Sequence, residues 1–326
     1  MKKKIYLILF SLFIILGLIS GYQLITEYVD YGKATSYYET LSDTWVKPVP
    51  SSPVSQSPSN VSPASGVSPA SPDSERPAEP EAAAPAEPSP GQVQPPEEGY
   101  AAVPEPPDSE TGSPSAGSPG QASATGAPEE TRISSEQPPV SVDFTGLLAV
   151  NPEIVGWIYC EDTPISFPVL QGSDNKKYLS VQPDGKTSRS GSIFIDCGCP
   201  SDFSGMNTIV YGHNRKNGMF ATLSNYRKQE YYEAHPVMWM LTPEADYRID
   251  LFAGFIVEAG GWVYRTNFPD SVSRSEYIAS CLRSSHFQSP LVPSGEDRIV
   301  TLSTCNYTFS GARYVVQGVL TPCAKK

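Results

Sequence analysis

The run Arg298-Ile299-Val300-Thr301-Leu302-Ser303-Thr304-Cys305, the loop Asn306 to Ala312, and then Arg313-Tyr314-Val315-Val316-Gln317-Gly318 decide how this chain is read. The first segment alternates: Ile299, Thr301, Ser303 and Cys305 fall on one face, Val300, Leu302 and Thr304 on the other. Two β-rich segments joined by so short a loop predict an antiparallel return, with Arg313 beside Cys305. Upstream, Asn207 to Tyr211 reads as a strand that ends just before Gly212-His213-Asn214. If that strand runs parallel to the one ending in Cys305, a cysteine, a histidine and an arginine meet at one barrel edge. Such a set suits acyl transfer through a thioester: Cys305 as nucleophile, His213 as acid/base, Arg313 as a fixed charge for the oxyanion. Each residue alone also has a plainer reading, as a small buried thiol, a turn histidine and a surface charge.

Working outward, Ser192 to Asp196, Val237 to Leu241 and Tyr247 to Glu258 are further short, β-rich segments bounded by Gly, Pro, Asn or Asp. Helical stretches are few: Met219 to Asn225 continuing to Tyr231, and Ser273 to Arg283. The expectation is a mostly β domain, a barrel with helices inserted in its connections.

Averages over the 326 residues mix unlike parts. Between Val46 and Val140 lie 22 of the 33 prolines, and 13 acids against Lys47, Arg76 and Arg132, so that stretch carries −10 of the net −12. It is low-complexity Pro/Ser/Ala/Glu, expected to be disordered with polyproline character. As a spacer it would reach from about 55 Å as a coil to about 290 Å extended. No basic block follows the N-terminus, so no nucleic-acid footprint is read. About 180 residues remain, enough for one domain with its own core.

At the N-terminus Lys2, Lys3 and Lys4 precede an uncharged run from Ile5 to Thr26. That run is long enough to cross about 30 Å of hydrocarbon, with the lysines on the cytoplasmic side and the remainder outside. The alternative is a cleaved signal peptide, with Ser20-Gly21 as small residues, although no A-x-A site is present. Leu24, Tyr28, Tyr31, Tyr38 and Leu41 recur at near-helical spacing, which predicts a juxtamembrane helix. The organisation read is therefore a signal-anchor over 1–26, a juxtamembrane helix over 27–45, a linker over 46–140 and a catalytic domain over 141–323. The six cysteines match no zinc signature, and Cys197-Gly198-Cys199 has neither a second pair nor a nearby histidine. No metal and no organic cofactor is expected.

Together these residues resemble a sortase, specifically one of class B. Thr301-Leu302-Ser303-Thr304-Cys305 resembles that family's TLxTC signature, Tyr211-Gly212-His213 its histidine motif, and Arg313-Tyr314-Val315-Val316-Gln317-Gly318 its arginine strand. The resemblance runs from Phe144 to Leu320 and includes Asn151-Pro152-Glu153-Ile154-Val155-Gly156-Trp157-Ile158 and Pro168-Val169-Leu170-Gln171-Gly172. The helix before the last two strands, Ser273 to Arg283, points to class B.

The resemblance implies an eight-stranded sortase barrel with inserted helices. It implies a cysteine transpeptidase in which Cys305 is the nucleophile, His213 the acid/base and Arg313 the oxyanion stabiliser. It carries substrate-binding positions onto Asn175, Leu179, Ser273, Tyr277, Ile278 and Ser303. Leu179 and Ile278 read equally as plain core, and Ser303 as a residue on a β face. The implied partners are surface proteins bearing an NPxT- or LPxT-like sorting signal, a peptidoglycan amine, and the membrane through the N-terminal helix. The alternatives are a pilin polymerase with a lysine acceptor, a papain-like wall peptidase and an inert wall-tethered module. The peptidase usually places Cys before His, the reverse of the order here. Two features depart from the family pattern: Asn306 follows the nucleophile where some members have an acid, and the Pro-rich insert separates the juxtamembrane helix from the catalytic domain.

Overall fold

The computed structural model describes residues 2–50, 133–215 and 218–324. Most of the stretch read as a linker therefore lies outside the described residues. Eight strands form a closed barrel: β1 (Ile154–Tyr159), β2 (Ser166–Leu170), β3 (Ile193–Ile195), β4 (Asn207–Tyr211), β5 (Val237–Leu241), β6 (Asp246–Glu258), β7 (Ile299–Cys305) and β8 (Ala312–Pro322). Around the barrel the order is β6-β8-β7-β4-β3-β2-β1-β5, returning to β6. This is the mostly β barrel the sequence suggests. Among the described residues four α-helices accompany it: α1 (Lys2–Trp45), α2 (Phe144–Val150), α3 (Gln229–Ala234) and α4 (Ser271–Ser284).

Pleating gives β6, β7 and β8 two buried faces. Val300, Leu302, Tyr314, Val316 and Leu320 lie on one face and belong to the same buried cluster as Trp157 and Ile158. Ile299, Val315 and Val319 alternate with them and meet Tyr277, Ile278 and Cys281 of α4 outside the barrel. α4 forms because Asp270 caps it, accepting from the Ser273 amide at 2.7 Å, and because Arg274, Tyr277, Ile278 and Cys281 recur on one face. Between α4 and the sheet lies a buried polar network. Thr301 Oγ1 donates to Asn207 Oδ1 at 2.8 Å, and Asn207 Nδ2 donates to the Arg265 carbonyl at 2.9 Å and to the Tyr277 hydroxyl at 3.1 Å. Gln317 Nε2 donates to the same hydroxyl at 2.7 Å and to Thr301 Oγ1 at 2.9 Å. Asn207→Ala strands several of these buried groups, so it should lower stability by about 2 kcal/mol. A loss of less than a quarter of that amount, read as the urea midpoint shift multiplied by an unchanged m-value, would refute the assignment.

α1 is one unbroken helix. Its first part exposes Leu9, Phe10, Phe13, Ile14, Leu16, Leu18, Ile19, Leu24 and Ile25 around its circumference. A helix apolar on every side fits lipid rather than a sheet face. Its last part is different. Ala34, Tyr38 and Leu41, spaced four and three apart, are only 3%, 5% and 5% exposed. The Tyr38 ring meets Phe167 of β2 edge-on at 5.3 Å. Trp45 packs over Gly146 of α2, where a β-carbon would collide with its indole. The chain then turns back on itself, for Val46–Pro48 pairs antiparallel with Val140–Val142, and the Val49 amide donates to the Pro139 carbonyl at 2.8 Å. The two ends of the Pro-rich stretch are thus hydrogen-bonded neighbours, and the helix it separates from the barrel in sequence packs directly on the barrel in space.

Candidate active site

β7 and β8 are antiparallel, with Cys305 directly opposite Arg313. Opposed residues on such a pair share a face. Thr304 and its partner Tyr314 face inward, so Cys305 and Arg313 face outward. β4 runs parallel to β7, with Tyr211 level with Ser303, and the Gly212 amide extends the ladder by donating to the Ser303 carbonyl at 3.0 Å. His213, two residues beyond Tyr211, therefore arrives level with Cys305 on the side away from Arg313. Asn214 ties this edge together by donating from Nδ2 to the Cys305 carbonyl at 2.8 Å. Gly212 allows the close approach, since a β-carbon there would run into Ile193 and Phe220.

His213 Nε2 lies 2.7 Å from the Leu179 carbonyl oxygen. A carbonyl only accepts, so Nε2 carries the proton, and proton exchange in a reaction falls to Nδ1. Among the described residues, Arg313 Nη1 donates to carbonyls of its own strand end, Ala312 at 3.1 Å and Gly311 at 3.5 Å. Among the described residues no carboxylate pairs with the Arg313 guanidinium. Ser303 Oγ shares a 2.8 Å hydrogen bond with the Tyr264 hydroxyl, and Tyr264 stacks on Tyr211 at 6.2 Å. Burial raises the Tyr264 phenol above its ordinary range, although its bond to Ser303 and the Arg313 charge pull it down, so it stays neutral beside the thiol.

The other cysteines have a different chemistry. Burial pushes the Cys199 thiol up to about 11 and the Cys281 thiol to about 12. Cys197 is exposed, but desolvation and then the Asp196 charge raise it. Cys305 is half-buried and is the one cysteine flanked by a histidine and an arginine.

The remaining expected positions scatter in role. Ser303 is buried beside the site. Leu179 contributes its backbone carbonyl to His213, while its side chain packs on the core. Asn175 braces the next loop, donating to Asp196 Oδ2 at 2.9 Å and accepting from the Cys197 amide at 2.8 Å. Asp196 Oδ2 also accepts from the Tyr211 hydroxyl at 2.9 Å. Ser273 lines an open depression of about 840 Å³ together with Trp262, Tyr264, Arg265 and Glu276. Tyr277 also borders that depression, but its hydroxyl is engaged beneath α4, and Ile278 is packed against the sheet. Asn306 turns inward on its own loop, where Oδ1 accepts from the Thr308 amide at 3.0 Å and hydroxyl at 2.6 Å. Tyr264, Asn214 and the Leu179 carbonyl were not singled out in the sequence. Asn214 directly follows the histidine, and the Gly260-Gly261 turn beside Trp262 was the available signal for Tyr264; a backbone acceptor leaves no signal at all.

No protein-family model matches the chain. Over 181 residues it is 36% identical to Sortase B of Listeria monocytogenes, covering 55% of this chain and 74% of that protein. The crystal structure of Staphylococcus aureus Sortase B aligns with a TM-score of 0.53 at 32% identity, over 56% of this chain and 87% of that one. A crystal structure of Sortase B complexed with triglycine aligns with a TM-score of 0.52 at 33% identity, over 55% and 85% of the two chains.

Proposed function

This chain belongs to the class B sortases and is a cysteine transpeptidase; from that premise we propose that it cleaves a C-terminal sorting signal after threonine and joins the released protein to a peptidoglycan amine. The Cys305 thiolate attacks the threonine carbonyl carbon. The peptide C–N bond breaks, a thioester forms, and His213 as imidazolium gives its Nδ1 proton to the leaving amine. An incoming amine then attacks the thioester, His213 takes up its proton, and the Cys305 thiolate leaves. Arg313 holds the oxyanion in both steps, and its guanidinium keeps its charge throughout.

The sorting signal lies on the outer face of β4 and β7. Ser303 and Leu179 border its bound residues, Asn175 braces the loop around them, and Ser273 stands at the mouth of the neighbouring depression. Tyr277 and Ile278 shape that wall from beneath. α1 anchors the enzyme: among the described residues one helix, Leu9–Trp45, is long and apolar enough to cross a membrane, and the catalytic domain works on the wall side.

The observation that carries this reading is the strand register. It sets Arg313 opposite Cys305, while the parallel β4–β7 pair delivers His213 to the same edge. The acceptor class has support from the similar Sortase B complexed with triglycine. The test incubates the full chain with labelled NPxT and LPxT peptides and triglycine. A threonyl-glycine product that rises with triglycine is expected, and better from the NPxT peptide. Release of peptide with no transfer at any triglycine concentration would defeat the transpeptidase reading. Transfer only to the lysine of a folded pilin would replace wall anchoring with pilus assembly.

A further inference from the structure

We propose that the juxtamembrane half of α1 is a positioning element of the active site, which fixes the Leu179 carbonyl against His213 through Tyr38 and the Ser188–Ser192 turn. The inference rests on the acid/base role given above to His213.

The connection is continuous. The Tyr38 hydroxyl donates to the Gly191 carbonyl at 2.6 Å and lies 3.5 Å from Ser192 Oγ. The Ser192 amide donates to the Tyr178 carbonyl at 2.9 Å, its hydroxyl to the Val181 carbonyl at 2.7 Å, and the Ser188 amide to the Ser180 carbonyl at 2.9 Å. This turn thus grips the carbonyls of 178, 180 and 181, leaving the carbonyl of 179 to face His213. The fit is tight. Gly191 is in the left-handed region at φ +54°, and a β-carbon there would stand 2.5 Å from the Tyr178 carbonyl oxygen and 2.6 Å from that of Leu179. Burial holds the Tyr38 phenol far above its ordinary range, so it remains a donor.

The same helix also reaches the other side of His213. Arg215, two residues beyond it, donates from Nη2 to the Arg189 carbonyl at 3.3 Å, and its guanidinium lies 5.5 Å from the Tyr31 ring centre. Asp30 Oδ2 accepts from the Arg189 amide at 3.0 Å and the Ser188 hydroxyl at 3.4 Å. Glu27 lies 3.7 Å from the Arg189 guanidinium. A cavity of about 480 Å³ separates helix and barrel along Tyr31, Thr35, Ser42, Ser190 and Arg215. The helix therefore holds the barrel at a few points. Of these, the buried Tyr38 bond outweighs the exposed Glu27–Arg189 pair, because solvent screens the latter to little net effect.

The test uses the full chain in membrane mimetic, with rates expressed per titratable Cys305. Tyr38→Phe keeps the ring against Phe167 and removes only the donor. It should lower kcat about fivefold to tenfold, leave KM within twofold and change Tm by no more than a few degrees. A hydroxyl that only stabilises would lower Tm and leave kcat per active site unchanged, and that result overturns the proposal. Should Tyr38→Phe fail to fold, Ser192→Ala carries the same expectation and the same refutation. His213→Ala, measured alongside, separates the two readings. If it stays active, the acid/base assignment fails. If it is inactive while Tyr38→Phe keeps wild-type kcat, the positioning role fails.

Discussion

Cys305→Ala should abolish release of the sorting peptide, with a rate at least about 10⁴-fold below the wild type. The expectation follows from the mechanism, since every route to product passes through the thioester on Sγ. The variant should keep its fold. Cys305 is the last residue of β7, half-buried, and its backbone keeps its pairing with Arg313 and the carbonyl that receives Asn214. An unchanged Tm with peptide still bound but uncleaved is the expected pattern. Mass spectrometry of the wild type with slow substrate should show the acyl adduct on the peptide containing Cys305. An adduct on Cys197, the exposed alternative, would remove Cys305 from the mechanism.

Arg313→Ala should lower kcat/KM by about 10²–10³-fold, the usual cost of losing one oxyanion donor in an enclosed site. Arg313→Lys should recover little of this, because a compact ammonium lacks the planar fork that places two donors at once. The fold should be spared, since among the described residues the guanidinium donates to the Gly311 and Ala312 carbonyls at its own strand end. Alkylation of Cys305 by iodoacetamide separates two roles for the charge. If Arg313 serves the oxyanion, alkylation changes only a few-fold while catalysis collapses. Equal losses in both would make it a thiolate stabiliser instead, and Arg313→Ala above a tenth of wild-type activity would deny it either role.

Much of this site was legible because strands advertise their faces. The alternation from Ile299 to Cys305 and the short loop to Arg313 imply a register, and the register is Cys305 opposite Arg313. The parallel neighbour ending near His213 is equally present. β2 was harder to see as a strand in its own right, for Pro168 argues against a strand interior although it sits opposite Trp157 on β1. The Leu179 contribution could not be read from side chains, because the acting group is a carbonyl. The seating of α1 was hidden more deeply. Tyr38 and Gly191 are 153 positions apart in sequence, and nothing in a helical pattern names the surface it will bury against.

One feature changes how the enzyme meets its substrates. Because Val46–Pro48 pairs with Val140–Val142, the long acidic excursion between them adds no length between the proposed anchor and the thiol. A rigid strut replaces the leash. From Glu27 to Trp45 the helix rises about 27 Å along the barrel, and under the anchoring proposed above its seating there fixes the altitude at which Cys305 operates. Under the anchoring proposed above, such a mast confines the enzyme to a thin layer above the bilayer, where cargo would be captured as it emerges.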